Sequence, residues 1–228
     1  MAGEQDVGAG QKKRAEADEA AVSSGRPRSS ISPVTLAQVG VIIALLAVSA
    51  QVSVAIGPVP FTLQTLVVAL AALVLTPAQA AAALAGYVLL GALGLPIFSL
   101  MRGGLAMIAG PTGGYLYGFI LSALLGGFVR RLVAGRASRA AGREGAPAPV
   151  TTASRARVLA GDIACAVVVV LVCYAVGTAH FMLTAHVGLA AALGTAVIPF
   201  IIPDALKCVA AILVAAALRK AIPSVAAR

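Results

Sequence analysis

From Ser29 to Met101 the chain carries no charged side chain, an unbroken run of 73 residues. A bilayer's hydrocarbon core is crossed by about 20 apolar helical residues, so this run has room for three crossings. At that depth no water satisfies backbone N–H and C=O groups, which leaves helices or closed barrels as the spanning structures. A barrel strand alternates apolar and polar residues. This run does not: Ala, Leu and Gly dominate it. With 60% hydrophobic and 11% charged residues overall, the chain reads as an all-α integral membrane protein.

Breakers divide the apolar sequence into six expected transmembrane helices, at about 34–56, 61–75, 78–95, 114–133, 158–178 and 203–218. Gly57-Pro58-Val59-Pro60, Thr76-Pro77 and Gly94-Leu95-Pro96 mark the first three ends. Residues 96–114 hold five glycines and two prolines, which argues against a continuous helix. They are also too apolar for a solvated loop. Irregular backbone survives at membrane depth where it is buried or lines a cavity. The segment is therefore expected to be a re-entrant or capping loop between the third and fourth helices. Residues 1–33, polar and without an apolar signal-peptide core, are expected to form a disordered cytoplasmic tail. Residues 34–222 then form one six-helix membrane domain. Within it, 134–157 is a polar, Arg-rich cytoplasmic loop, and 223–228 is a short cytoplasmic tail. Asp162, near the start of the fifth helix, is expected to snorkel to the interface. Gly40 and Ala44 make a small-xxx-small pair suited to a close helix contact. Cys165, Cys173 and Cys208 fall in apolar runs and read as buried small hydrophobes.

Formal charge is +9, but its placement says more than its sum. Of 17 Lys and Arg, five precede residue 29, seven lie between Arg130 and Arg157, and three follow Leu218. In a six-helix chain these 15 share one side, which the positive-inside bias makes the cytoplasm. Both termini are then cytoplasmic, in the cell membrane. The basic balance reflects topology, not nucleic-acid binding. Arg102 and Lys207 are the two exceptions, and they fall on the outer side. So do Gly57–Pro60, the 96–114 segment and the 179–202 segment.

Asp204 and Lys207 are the only charges between Asp162 and Arg219. Three residues apart on a helix, they share a face. Pro203 suits a first helical turn, which places Asp204 where the helix dipole favours a carboxylate. Ionisable residues at membrane depth are costly, and by default they mark function. A charged pair beneath three irregular apolar segments has the shape of a pocket with a cover. No catalytic triad, metal cluster or Walker loop appears in the sequence, so an enzyme is not expected.

Four ordered motifs resemble the BioY family, the biotin-binding S components of energy-coupling factor (ECF) vitamin transporters. They are Gly57-Pro58-Val59-Pro60-Phe61-Thr62-Leu63-Gln64-Thr65, the stretch from Gly91 to Phe98, the stretch from Gly110 to Phe119, and Ile198-Pro199-Phe200 followed by Asp204-Ala205-Leu206-Lys207. The match covers about residues 34–220. The resemblance implies a six-helix S component that captures biotin from outside. It also implies two partners, a coupling transmembrane subunit and a pair of ABC-type ATPases. ATP hydrolysis belongs to those partners, and this chain needs no cofactor. The family's Asp-x-x-Lys element, which contacts substrate, corresponds to Asp204 and Lys207. Pro203 stands where the family usually has Gly.

Biotin's groups suit these residues. Asp204 accepts from a ureido N–H, and Lys207 donates to a carbonyl or carboxylate. Arg102 meets the carboxylate. Gly113 and Gly114 permit close backbone approach, Tyr115 packs on the apolar ring, and Gln64 adds a polar contact. Gly40 and Ala44 are the expected packing pair for the coupling subunit. Two other readings use the same features: an S component for another small vitamin, and a self-sufficient secondary transporter. The latter usually shows inverted repeats, and no convincing internal repeat is present.

Overall fold

A computed structural model describes residues 32–55, 57–141 and 152–222. The expectations for the tail up to residue 31, for 142–151 and for 223–228 lie outside the described residues. The chain divides into two units, Met1–Leu36 and Ala37–Arg228. In the first, Ser32 Oγ accepts the Thr35 N–H at 3.2 Å, an N-cap ahead of Pro33.

Helix α1 (Pro33–Gln51) stops five residues before the expected end at 56. Two short strands follow, β1 (Ser53–Val54) and β2 (Phe61–Thr62), paired antiparallel with Ser53 opposite Thr62. Gly57-Pro58-Val59-Pro60 makes the turn between them. Helix α2 (Gln64–Val74) is the centre of the bundle, with nine of its 11 residues buried. It packs against α5 (Gly113–Ala141), α6 (Thr152–Ala185) and α8 (Ile201–Ala221). Helix α3 (Pro77–Ala92) opens with a capping box: Thr76 Oγ1 accepts from Gln79 N, and Gln79 Oε1 accepts from Thr76 N.

Residues 96–114 are irregular, as their glycines and prolines predict. A 3₁₀ turn (Ser99–Met101) and a five-residue helix α4 (Leu105–Ala109) lead into α5. Leu100 and Met101 take left-handed backbone angles, φ 60° and 57°. Helices α5 and α6 make the most extensive helix pair. Gly118 and Gly126 on one, and Gly161 and Gly177 on the other, allow the approach. A Cβ at Gly126 would strike Val169, and one at Gly177 would strike the Tyr115 ring. Both helices extend into the stretch expected as polar loop, and α6 also runs past the expected end at 178. After it come α7 (Leu189–Ala196), a 3₁₀ turn (Ile198–Phe200) and α8.

Among the described residues, four segments are long and apolar enough to cross a bilayer: Pro33–Gln51, Gly113–Ala134, Arg155–Ala185 and Leu189–Ala221. Gln64–Val74 and Pro77–Ala92 are apolar but shorter. Large apolar side chains such as Val41, Leu45, Leu171 and Leu213 are exposed, as lipid-facing positions require.

Asp162 corrects a sequence expectation. It does not snorkel: it is 2% exposed, at a junction of three helices. Arg130 of α5 donates to Oδ1 at 2.8 Å, and Arg219 of α8 donates to Oδ2 at 2.6 Å. Two guanidinium groups supply the counter-charge that a buried carboxylate needs.

Candidate functional site

Asp204 and Lys207 lie in the first two turns of α8, which begins two residues before Pro203. Both are buried, at 4% and 6% exposure. Lys207 Nζ donates to Asp204 Oδ1 at 2.8 Å. The second carboxylate oxygen, Oδ2, accepts the Tyr174 hydroxyl at 2.7 Å. Tyr174 comes from the middle of α6, so the pair is tied across two helices. Lys207 Nζ also sits 4.0 Å from the centre of the Phe61 ring, a cation–π contact. Phe61 in turn stacks on Phe200, with centroids 6.3 Å apart. The β-hairpin, which the sequence reading did not foresee, is what brings Phe61 and Thr62 here.

Asp204, Lys207, Tyr174, Phe200 and Thr62 face a cavity with about 700 Å³ of atom-free space, its mouth included. Its wall is mostly apolar: Val59, Phe98, Met107, Leu116, Phe119, Cys173, Ala196 and Phe200. Gln64, Thr65, Thr112, Tyr115, Tyr174, Asp204 and Lys207 add polar groups. A mostly apolar enclosure with a few convergent polar groups is what a small-molecule site requires. Asp204 has one hydrogen bond on each oxygen and keeps acceptor capacity on both. Tyr174 has given its only proton to Asp204, so toward the cavity its oxygen is purely an acceptor. Lys207 has further N–H groups to donate. The cluster therefore offers acceptors and a donor side by side.

Gln64 is 5% exposed. Its Nε2 donates to Tyr87 Oη at 2.9 Å, and Tyr87 passes its own proton to the Ile97 carbonyl at 2.9 Å. Gln64 thus links the cavity wall to the irregular segment. Tyr115 lines the cavity and donates to the Ala196 carbonyl at 3.1 Å, holding α7 to α5.

Three sequence-derived candidates are placed differently. Gly113 and Gly114 do not line the cavity. A Cβ on Gly113 would strike the Ile108 carbonyl, and one on Gly114 would strike His180, so both glycines serve chain-on-chain packing. Arg102 is exposed and lines a second, adjoining cavity with Gly57, Pro58, Leu100 and Pro111. The two cavities share Pro60, Ser99, Met107 and Thr112. Gly40 has open space where a Cβ would stand, and Ala44 one turn on is also exposed; among the described residues, nothing covers this stripe of α1. His180 is structural: its Nε2 lies 3.0 Å from the Gly110 carbonyl.

The BioY family model matches residues 23–224. The "Probable biotin transporter BioY" of Pyrococcus horikoshii is 36% identical over 177 residues, covering 78% of this chain and 91% of that protein. The "Biotin transporter BioY" of Thermotoga maritima is 50% identical over 94 residues, 41% of this chain and 56% of that one. Among solved structures, the S-component for biotin from an ECF-type ABC transporter matches with a TM-score of 0.67. Identity there is 22%, over 82% of this chain and 90% of that one, so the likeness speaks to the fold.

Proposed function

The chain belongs to the BioY family, and on that premise we propose that it captures biotin for uptake, as the substrate-binding S component of an ECF-type transporter. It is a multi-pass membrane protein and not an enzyme. The observation that carries the reading is the buried Asp204–Lys207–Tyr174 cluster on the wall of a largely apolar cavity.

Biotin's ureido ring presents two N–H donors flanking one carbonyl. Asp204 and the Tyr174 oxygen accept from N–H, and Lys207 donates to the carbonyl. Met107, Leu116, Phe119 and Tyr115 receive the thioether ring and the aliphatic chain. Gln64 adds an amide contact. Arg102, at the adjoining cavity, meets the carboxylate. Gly113 and Gly114 act by setting the start of α5, not by touching substrate.

All six apolar helices lie at membrane depth in this reading. The two short ones, α2 and α3, are completed by the hairpin and by residues 96–114, which act as a re-entrant cap. Both termini face the cytoplasm. The uncovered stripe at Gly40 and Ala44 receives the coupling transmembrane subunit, and an ABC-type ATPase pair supplies the energy.

The test is retention of radiolabelled biotin by the purified, monodisperse protein in detergent, in competition with other water-soluble vitamins. Biotin alone should compete. Retention of a different vitamin in its place would move the assignment to another substrate. A cytoplasm-active reporter fused after Arg228 should give signal; signal only from an exterior-active reporter would invert the topology.

A further inference from the structure

Gln51, the last residue of α1, reaches out of its helix to the irregular segment. Its Nε2 donates to the Ala47 carbonyl within α1 and to the Phe98 carbonyl, each at 3.2 Å. Its Oε1 accepts the Met101 N–H at 3.0 Å. The two long-range bonds bracket the 3₁₀ turn from opposite ends. Within the turn, the Phe98 N–H reaches the Arg102 carbonyl at 2.9 Å. Leu100 and Met101 are left-handed without being glycine, a backbone state that persists only where its surroundings hold it.

The foot of this turn is fixed. Phe98 is 2% exposed and meets Tyr87 edge-on, with centroids 5.5 Å apart. The tip has no comparable burial: Leu100 is 40% and Met101 65% exposed. Among the described residues, the tip is held by the side chain of one glutamine on another helix. The turn also divides the two cavities, since Ser99 lines both and Arg102 only the second.

We propose that Gln51 is a positioning residue that holds the Ser99–Met101 turn closed over the main cavity, so that the end of α1 sets how long a bound ligand stays. This rests on reading that cavity as the biotin site. Gly40 and Ala44 lie on the same helix, so any displacement of α1 against the turn breaks both long-range bonds together.

The test uses the full chain in detergent and two variants, Gln51→Ala and Gln51→Met, the second keeping the stem's volume. Two side-chain hydrogen bonds at about 1 kcal/mol each correspond to roughly tenfold or more in rate. Biotin dissociation, followed by chase of bound radiolabel, should speed up by about that factor, with a smaller change in association rate. The second readout needs no ligand: Ser99→Cys, in a background with the three native cysteines replaced by alanine, should react faster with an impermeant thiol reagent once Gln51 is changed. A purely structural role would lower the unfolding temperature of the apo-protein without altering either rate. Unchanged dissociation and unchanged Ser99→Cys reactivity in the Met variant overturn the proposal. If the parent retains no biotin, the site reading fails, and the labelling rates still decide whether Gln51 holds the turn.

Discussion

Among the described residues, two ionic clusters are buried, and they are built on different plans. Around Asp162, one carboxylate meets two arginines from two other helices, and these three residues line neither of the two cavities described above. Around Asp204, one carboxylate meets a lysine one turn along the same helix, with a tyrosine from α6 as third member. The first cluster cannot form until three helices are in place, so its free energy goes into holding them together. The second pair is satisfied within α8 alone, and its remaining donors and acceptors face open space. Burial of charge by itself does not distinguish structure from function; what the charges span does.

The contrast can be broken most severely at Asp162. Asp162→Asn leaves Arg130 and Arg219 facing a neutral amide at a buried junction. Removing one partner of a buried ion pair costs about 3–5 kcal/mol. Most of the variant should be lost as aggregate on size-exclusion chromatography in detergent; recovery and thermal midpoint equal to the parent's would show that the cluster holds nothing. Asp204→Asn and Lys207→Met should behave otherwise. Both should insert and stay monodisperse yet bind biotin ten- to a hundredfold more weakly, as a lost charge-assisted bond of about 1.5–3 kcal/mol implies. The double variant sharpens this: a pair that is only an anchor becomes tolerable when both charges go, and biotin binding at the parent's level would make it one.

Tyr174→Phe removes a single hydroxyl that donates to Asp204. An expected cost of about 0.5–1.5 kcal/mol corresponds to a loss of up to about tenfold in affinity, measurable by equilibrium titration with labelled biotin. A variant as tight as the parent would reduce Tyr174 to packing. Arg102→Ala comes last. An exposed cation contributes about 0.2–1 kcal/mol and is screened by salt. Affinity should fall a few-fold at low ionic strength and converge with the parent's at high salt. A loss that salt leaves untouched would place Arg102 in a buried contact with the ligand.

The Asp204–Lys207 pair was legible because its partners are three residues apart, and helical geometry alone brings them to one face. Tyr174 was not, being 30 residues from Asp204. The partners of Asp162 lie 32 and 57 residues away, so a sequence window around Asp162 shows a lone charge near a helix start and suggests snorkelling. Glycine is ambiguous in a different way. At Gly113 and Gly114 the missing side chains make room for Ile108 and His180, and sequence cannot say whether such room is filled by ligand or by protein. The breakers marked the helix ends approximately. The two-residue strands were too short to carry a readable period. Gln51 gave no sign at all, since a polar residue at a helix end is unremarkable until its partners are known.

Helix α2 has a consequence for how the protein is made. It is buried from Val67 to Val74, and its walls are α5, α6 and α8, all of which follow it in the chain. A membrane helix normally gains its stability from lipid before it gains neighbours. At 11 residues, α2 falls well short of the roughly 20 that crossing requires, and its finished surroundings are protein. It must therefore wait, as synthesis proceeds, for helices not yet translated. The wall of α2 is complete only once α8 is in place, and because α8 brings Asp204 and Lys207, that last wall and the charged groups of the cavity come from the same helix.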